Sequence, residues 1–136
     1  MDNPKNTLNK KERIKSTKRI DELFLSGESF ISYPLRIVFL KKELSDSSEP
    51  SVGMMVSVSK KKFKRAVKRN RVKRLVREAF RLNKTGFYVL CQRQNTCLDI
   101  AFLYLKNELP DFQEIEKAIQ KTIVLLENKI SANKDA

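Results

Sequence analysis

Between Lys60 and Arg81 the chain reads KKKFKRAVKRNRVKRLVREAFR, and its later apolar residues fall at Val72, Leu75, Val76, Ala79 and Phe80. This is the i, i+3, i+4, i+7, i+8 spacing of a helix with one buried face. Such a stripe must be covered by another layer of structure. At about 100° per residue, Asn70, Arg74, Arg77 and Arg81 line up on the opposite face, with Lys73 on one flank and Arg71 off the other. Lys68 and Arg69 overhang the first turn, near the positive end of the helix dipole.

Charge is concentrated in this block. Twelve of its 22 residues are Lys or Arg and one, Glu78, is acidic, which accounts for +11 of the chain's +13. The other 114 residues carry 17 basic and 15 acidic side chains and are close to neutral. A local cluster of this density is the electrostatic footprint of a polyanion site. Arg suits it, because its planar fork of donors meets phosphate in a two-pronged way. A charge run is more often a solvated helix face, a localisation signal or a disordered tail. A solvated face normally mixes signs, however, and a disordered tail lacks the apolar stripe. Nucleic acid is the expected partner.

The run VSVSKK (56–61) followed by AVKRNRVKRLVREAFR (66–81) closely resembles the protein subunit of bacterial ribonuclease P. That family carries a Ser-Lys-Lys strand end, then a helix of the pattern Ala-Val-x-Arg-Asn-Arg-x-Lys-Arg-x-x-Arg-Glu. Ala66, Val67, Arg69, Asn70, Arg71, Lys73, Arg74, Arg77 and Glu78 all match it. A weaker resemblance extends over 8–40 and 98–128. Many members have a short Gly- and Asn-containing segment before the Ala-Val, whereas this chain has Lys62, Phe63, Lys64 and Arg65.

The resemblance implies an accessory subunit of a tRNA-processing endoribonuclease. Catalysis would belong to an RNA subunit using Mg²⁺ bound mainly through that RNA. The protein would bind the ribonuclease P RNA and the 5′ leader of precursor tRNA. The residues expected on RNA are Lys60, Lys61, Arg65, Arg69, Asn70, Arg71, Lys73, Arg74, Arg77 and Arg81. The family's first helix turns aromatics towards a cleft for single-stranded RNA. Phe24 fits the second such position, Ile20 stands where Phe is common, and Val38 or Phe39 would come from the first strand. The plain alternative for Phe24 is core packing.

The remaining chain reads as one α+β domain over 14–130, between a mobile basic tail (1–13) and a polar tail (131–136). Ser16 or Thr17 can cap a helix carrying Ile20, Leu23 and Phe24, with Gly27 as its stop. LRIVFLK (35–41) is a strand after Pro34, and ELSDSSEPS (43–51) is an acidic loop. VGMMVSVS (52–59) alternates, with Met54, Val56 and Val58 on one face. The short loop predicts that these two strands pair antiparallel. Asn83 and Gly86 should end the basic helix. Phe87–Gln92 fits helix or strand by pattern, and a separate short helix is expected. LDIAFLYL (98–105) suits a central strand covered on both faces. Pro110 and Asp111 open a last helix, with Glu114 completing an acidic capping box and Phe112, Ile115, Ile119, Ile123, Leu126 and Ile130 buried.

The expected order is thus α–β–β–α–(α)–β–α, a two-layer sandwich of helices on a small mixed sheet. The resemblance adds a ribosomal protein S5 domain 2-like fold, with a left-handed βαβ crossover around the basic helix.

Several functions are disfavoured. There is no His, so histidine triads and His metal ligands are absent. Cys91 and Cys97 match no zinc spacing and read as ordinary thiols of a reducing cytoplasm. Three Gly leave no phosphate-binding glycine loop. No apolar run approaches the ~18 residues of a membrane span, and the polar N-terminus shows no secretory signal. Neither Asp21 with Glu22, nor Glu43, Asp46 and Glu49, nor Asp111, Glu114 and Glu116 has a recognisable two-metal spacing. Glu78 should pair with an arginine at helical spacing. No catalytic group is therefore expected in the chain. A basic-zipper DNA regulator would continue into leucine heptads, but Gly86 follows instead. Attachment to a membrane would need the apolar stripe that the sheet is expected to use. Neither DNA nor membrane is an expected partner. A ribosomal-type or RNA-chaperone protein binding structured RNA without a nuclease partner would share the physics, and only the family match separates it.

Overall fold

The computed structural model describes residues 10–44 and 49–135, without the side chains of residue 10 and of 131–135. Most of the expected tail (1–9) and the middle of the acidic loop (45–48) lie outside the described residues. A 3-10 turn at Lys10–Glu12 leads to α1 (Thr17–Ser26), β1 (Glu28–Ser32), β2 (Leu35–Glu43), β3 (Ser51–Ser57), α2 (Ala66–Gln94), β4 (Thr96–Tyr104) and α3 (Phe112–Asp135). The expected mixed α+β sandwich is present. Its sheet order is β1-β2-β4-β3.

The apolar run in β4 earns the central place. β4 pairs antiparallel with β2, Val38 opposite Ala101, and parallel with β3, Met55 opposite Ala101. The expected direct pairing of 35–41 with 52–59 is therefore wrong. Loop length alone suggested a hairpin, but β4 inserts between the two because it can bury both faces. β1 was not anticipated. Its five residues, ESFIS, are short and mostly exposed, and it pairs antiparallel with β2 at the sheet's edge.

Alternation along the strands makes two cores. Leu35, Ile37 and Phe39 of β2, with Met54 and Val56 of β3 and Leu98, Ile100 and Phe102 of β4, face α2 and α3. Val38 and Ala101 face the other way and meet Ile14 and Leu23 under α1. Phe80, Phe87 and Phe102 pack edge-on or tilted, with centroids 5.1–6.5 Å apart, at the middle of the larger core.

α2 does not stop near Gly86. Asn83 stays helical, donating from its side chain to the Ala79 carbonyl at 2.8 Å. Gly86 lies against α3, where a Cβ would come within 2.8 Å of Ile123 Cδ1. The glycine lets the two helices approach, and this packing outweighs its helix penalty of about 1 kcal/mol. Phe87–Gln92 is thus helical, but continuous with the basic helix. The end comes at Asn95, in the left-handed conformation (φ 51°), whose N–H reaches the carbonyls of Cys91 and Gln92.

Ser16 caps α1, accepting from Arg19 N at 3.3 Å. Gly27 ends it, because a Cβ there would lie 2.4 Å from the Leu23 carbonyl oxygen and 2.8 Å from that of Phe39. Asp111 caps α3, accepting from Glu114 N at 2.7 Å. The Glu114 carboxylate turns to Lys106 instead of completing the box. The α3 backbone stays helical to Asp135, past the expected limit at 130.

The tail boundary at 13 also moves. Glu12 is buried, paired with Lys84 Nζ at 3.1 Å and accepting from Tyr88 Oη at 2.6 Å. Ile14 N donates to the Met54 carbonyl at 2.9 Å, and Arg13 bridges in parallel to Met54. Residues 10–14 thus lie along the free side of β3, pinned to α2.

Candidate nucleic-acid interface

The turn from β3 into α2 presents cations around a buried anchor. Ser59 receives Lys61 N on its hydroxyl (3.0 Å), and its carbonyl accepts from Lys62 N (3.1 Å). Phe63 is buried and stacks on Tyr104, with ring centroids 6.1 Å apart. Lys60, Lys61, Lys64 and Arg65 stay exposed around it. Residues 62–65 therefore place a hydrophobic plug in a basic turn. Arg69, expected on RNA, also works within the fold. Its Nη1 donates to the carbonyls of Phe63 (2.7 Å) and Lys64 (2.9 Å), fastening the turn to the helix.

The expected helix phase holds. Val72, Val76, Ala79 and Phe80 are fully buried, and Leu75 is half-buried at the rim. Asn70, Arg71 and Arg74 are exposed, and Lys73, Arg77 and Arg81 are half-buried on the outward side. Glu78 is gripped by Arg81 through Nε at 3.1 Å and through Nη2, which holds its carboxyl below the usual range. The helix start at Arg65 has no side-chain cap and no acid in its first turn, so its free N–H groups favour an anion.

Sequence reasoning missed Arg13. It reaches the outward face of α2 from the segment along β3, and lines a hollow with Asn70, Arg74 and Arg77. The signal was present in the basic N-terminal residues, but nothing local showed that they are held.

The other expected site residues lie on α1 and β2. Leu23 is buried, Ile20 is half-buried, and Phe24 is 43% exposed, so Phe24 does not fill the core. Of the two strand candidates, Val38 shares the α1 side of the sheet but is covered, at 6% exposure. Phe39 points the other way into the main core, at 2% exposure, and cannot line a cleft on the α1 side. The continuous apolar run 37–40 concealed which parity faced α1. Beyond Val38, the register aligns Ile31, Arg36, Leu103 and Ser57 across the same face. Ile31 and Arg36 are exposed there and Leu103 and Ser57 half-buried.

A charge network that spans the chain fixes α1 over the sheet. Arg19 meets the buried Asp99, which also takes Lys42 at 3.1 Å, and Lys42 in turn holds Glu22 at 2.9 Å. The Asp99 carboxylate raises the Arg19 guanidinium above its ordinary value. Among the described residues no group of three or more His, Cys, Asp or Glu is placed to hold a metal ion. No helix among them is long and apolar enough to cross a membrane.

The family model for Ribonuclease P matches residues 8–127. The chain belongs to the ribonuclease P protein family. Two curated relatives match it over most of their length. It is 42% identical to the ribonuclease P protein component of Porphyromonas gingivalis over 126 residues, 93% of this chain and 90% of the relative. With that of Chlorobium phaeobacteroides the identity is 36% over 85% of each chain. The fold is similar to the solved RNase P proteins of Staphylococcus aureus (TM-score 0.64, 20% identity, 85% of this chain and 94% of that one) and Thermotoga maritima (TM-score 0.63, 24% identity, 82% and 94%).

Proposed function

We propose that this chain is the protein subunit of a ribonuclease P, binding the catalytic RNA and the 5′ leader of precursor tRNA in the cytoplasm. The observation that carries the reading is the outward row Asn70, Arg74 and Arg77. No carboxylate pairs with these arginines among the described residues. A cationic row on a rigid helix, left without internal counter-charge, is built for successive phosphates.

The chemistry would be supplied by Mg²⁺ held by the RNA subunit. Of the protein's own acids, Glu12, Glu78 and Asp99 are each taken by a cation. The protein's part is to hold and orient. Exposed Phe24 on α1 offers a base a stacking surface. The leader would lie along α1, and folded RNA would meet α2.

The test is reconstitution of the chain with a bacterial ribonuclease P RNA transcript and precursor tRNA. The protein should speed leader removal at Mg²⁺ concentrations where the RNA alone is slow. Binding of both RNAs without any such effect would overturn the reading in favour of an RNA-binding protein with no nuclease partner.

A further inference from the structure

Arg13 and Arg77 come from distant parts of the chain and line the same two hollows. One is shared with Ile14, Lys15 and Met55, the other with Asn70, Arg74 and Arg81. Two guanidinium groups brought to one place repel each other. The arrangement is nevertheless strongly enforced. Glu12, on one side of Arg13, is buried against Lys84 and Tyr88. Ile14, on the other, is buried under α1 and bonded through its N–H to Met54. With both neighbours turned inward, the Arg13 side chain is sent out beside α2. The one carboxylate at the hollow, Glu78, is occupied by Arg81.

We infer that Arg13 and Arg77 together form a phosphodiester-binding site, in which one RNA phosphate bridges the N-terminal segment and α2. The inference rests on the RNA-binding reading above and adds to it a residue outside the basic block. Paired arginines can surround a phosphate with charge-assisted donors from two directions. Burial and the charge of Arg13 both hold Arg77 below its ordinary guanidinium value, the condition that an arriving anion relieves. The Glu12–Lys84–Tyr88 cluster then has a purpose beyond stability, since it positions Arg13.

The experiment measures affinity of the full chain for a bacterial ribonuclease P RNA transcript across a salt series. Arg13→Ala should weaken binding about tenfold at low salt and make the log K against log salt slope shallower by about one. Its melting temperature should be unchanged or higher, since a repulsion is removed. In an Arg77→Ala background the further loss from Arg13→Ala should largely vanish. Lys11→Ala removes an exposed cation of the same segment that does not line either hollow, and should cost less than a fifth as much. Equal losses for Lys11→Ala and Arg13→Ala, or full additivity with Arg77→Ala, would overturn the site while leaving general RNA binding intact. Absence of salt-dependent RNA binding by the unaltered chain would instead overturn the broader reading, and this site with it.

Discussion

Arg19 grips Asp99 across 80 residues of sequence, with Nη2 to Oδ1 at 2.6 Å and Nε to Oδ2 at 2.9 Å. The pair crosses β3 at Gly53, where a Cβ would sit 2.3 Å from Arg19 Nη2 and 3.0 Å from Asp99 Oδ1. The glycine is there because the guanidinium needs the space. The pair sets how α1, and with it Phe24, stands over the sheet.

Gly53→Ala should therefore act through Arg19. It is expected to cost about 1–3 kcal/mol by overpacking. The loss should be clearly less than additive with Arg19→Ala, because both disturb one contact. Urea denaturation of the two single variants and the double variant measures this. Full additivity would mean that the methyl group is accommodated elsewhere.

Phe80→Ala and Arg74→Ala separate the two faces of α2. Phe80 is fully buried between Phe87 and Phe102, so its truncation should cost about 3–5 kcal/mol. Arg74 is exposed, so Arg74→Ala should change stability by no more than about 0.5 kcal/mol and still weaken RNA binding. Denaturation and RNA titration of each variant would check both halves.

The contrast between these residues shows what could be read before any coordinates. The phase of α2 was legible because Val72, Val76, Ala79 and Phe80 repeat at helical spacing among cations. The cap at Asp111 was legible, and that of α1 was narrowed to Ser16 or Thr17, because capping is local chemistry. Strand order was not. Periodicity says which face of 35–41 or 52–59 is buried, and is silent on which strand lies between them. Phe39 was misplaced because Ile37 to Leu40 are all apolar, so both parities looked equally suited to either face. The pairs Arg19–Asp99 and Glu12–Lys84 join residues 80 and 72 positions apart, and no local pattern marks them. The stop at Gly86 failed because its glycine serves a neighbouring helix, not a turn.

Salt dependence tests the electrostatic account as a whole. If about six cations of α2 and its preceding turn meet phosphates, log K should fall against log salt with a slope of about −4 to −5. Titrations between low and moderate salt give the slope. A value near zero would remove the charged face from the binding surface.

Phe24→Ala addresses the leader. It should lower the reconstituted complex's affinity for precursor tRNA bearing a leader by about 1–3 kcal/mol, the range for one stacked base. Affinity for mature tRNA should barely change. Because Phe24 is 43% exposed, the protein's melting should change little as well. Equal weakening for both RNAs would detach Phe24 from leader recognition.

The two thiols should differ in reactivity. Cys91 is fully buried in the main core, and burial pushes its thiol up to about 12. The thiolate is the reactive form, so at pH 8 almost none is present at Cys91. Cys97 is half-exposed at the start of β4. A disulfide reagent at pH 8 should titrate one thiol per native chain and two in urea. Rapid reaction of both without denaturant would contradict the packing around Leu90 and Cys91.

The place of β4 between β2 and β3 has a consequence for how the chain is made. Synthesis delivers β2, then β3, then the whole of α2 before the strand that joins them. Until residues 96–104 leave the ribosome, β3 has no sheet to belong to and the apolar stripe of α2 has no complete floor. Such long-range pairing is slow to form and exposes partly folded surface meanwhile. A nascent chain halted within α2 is thus an uncovered cationic amphipathic helix amid ribosomal RNA. Release of Tyr104 lets the sheet close, and α3 then completes the core over it.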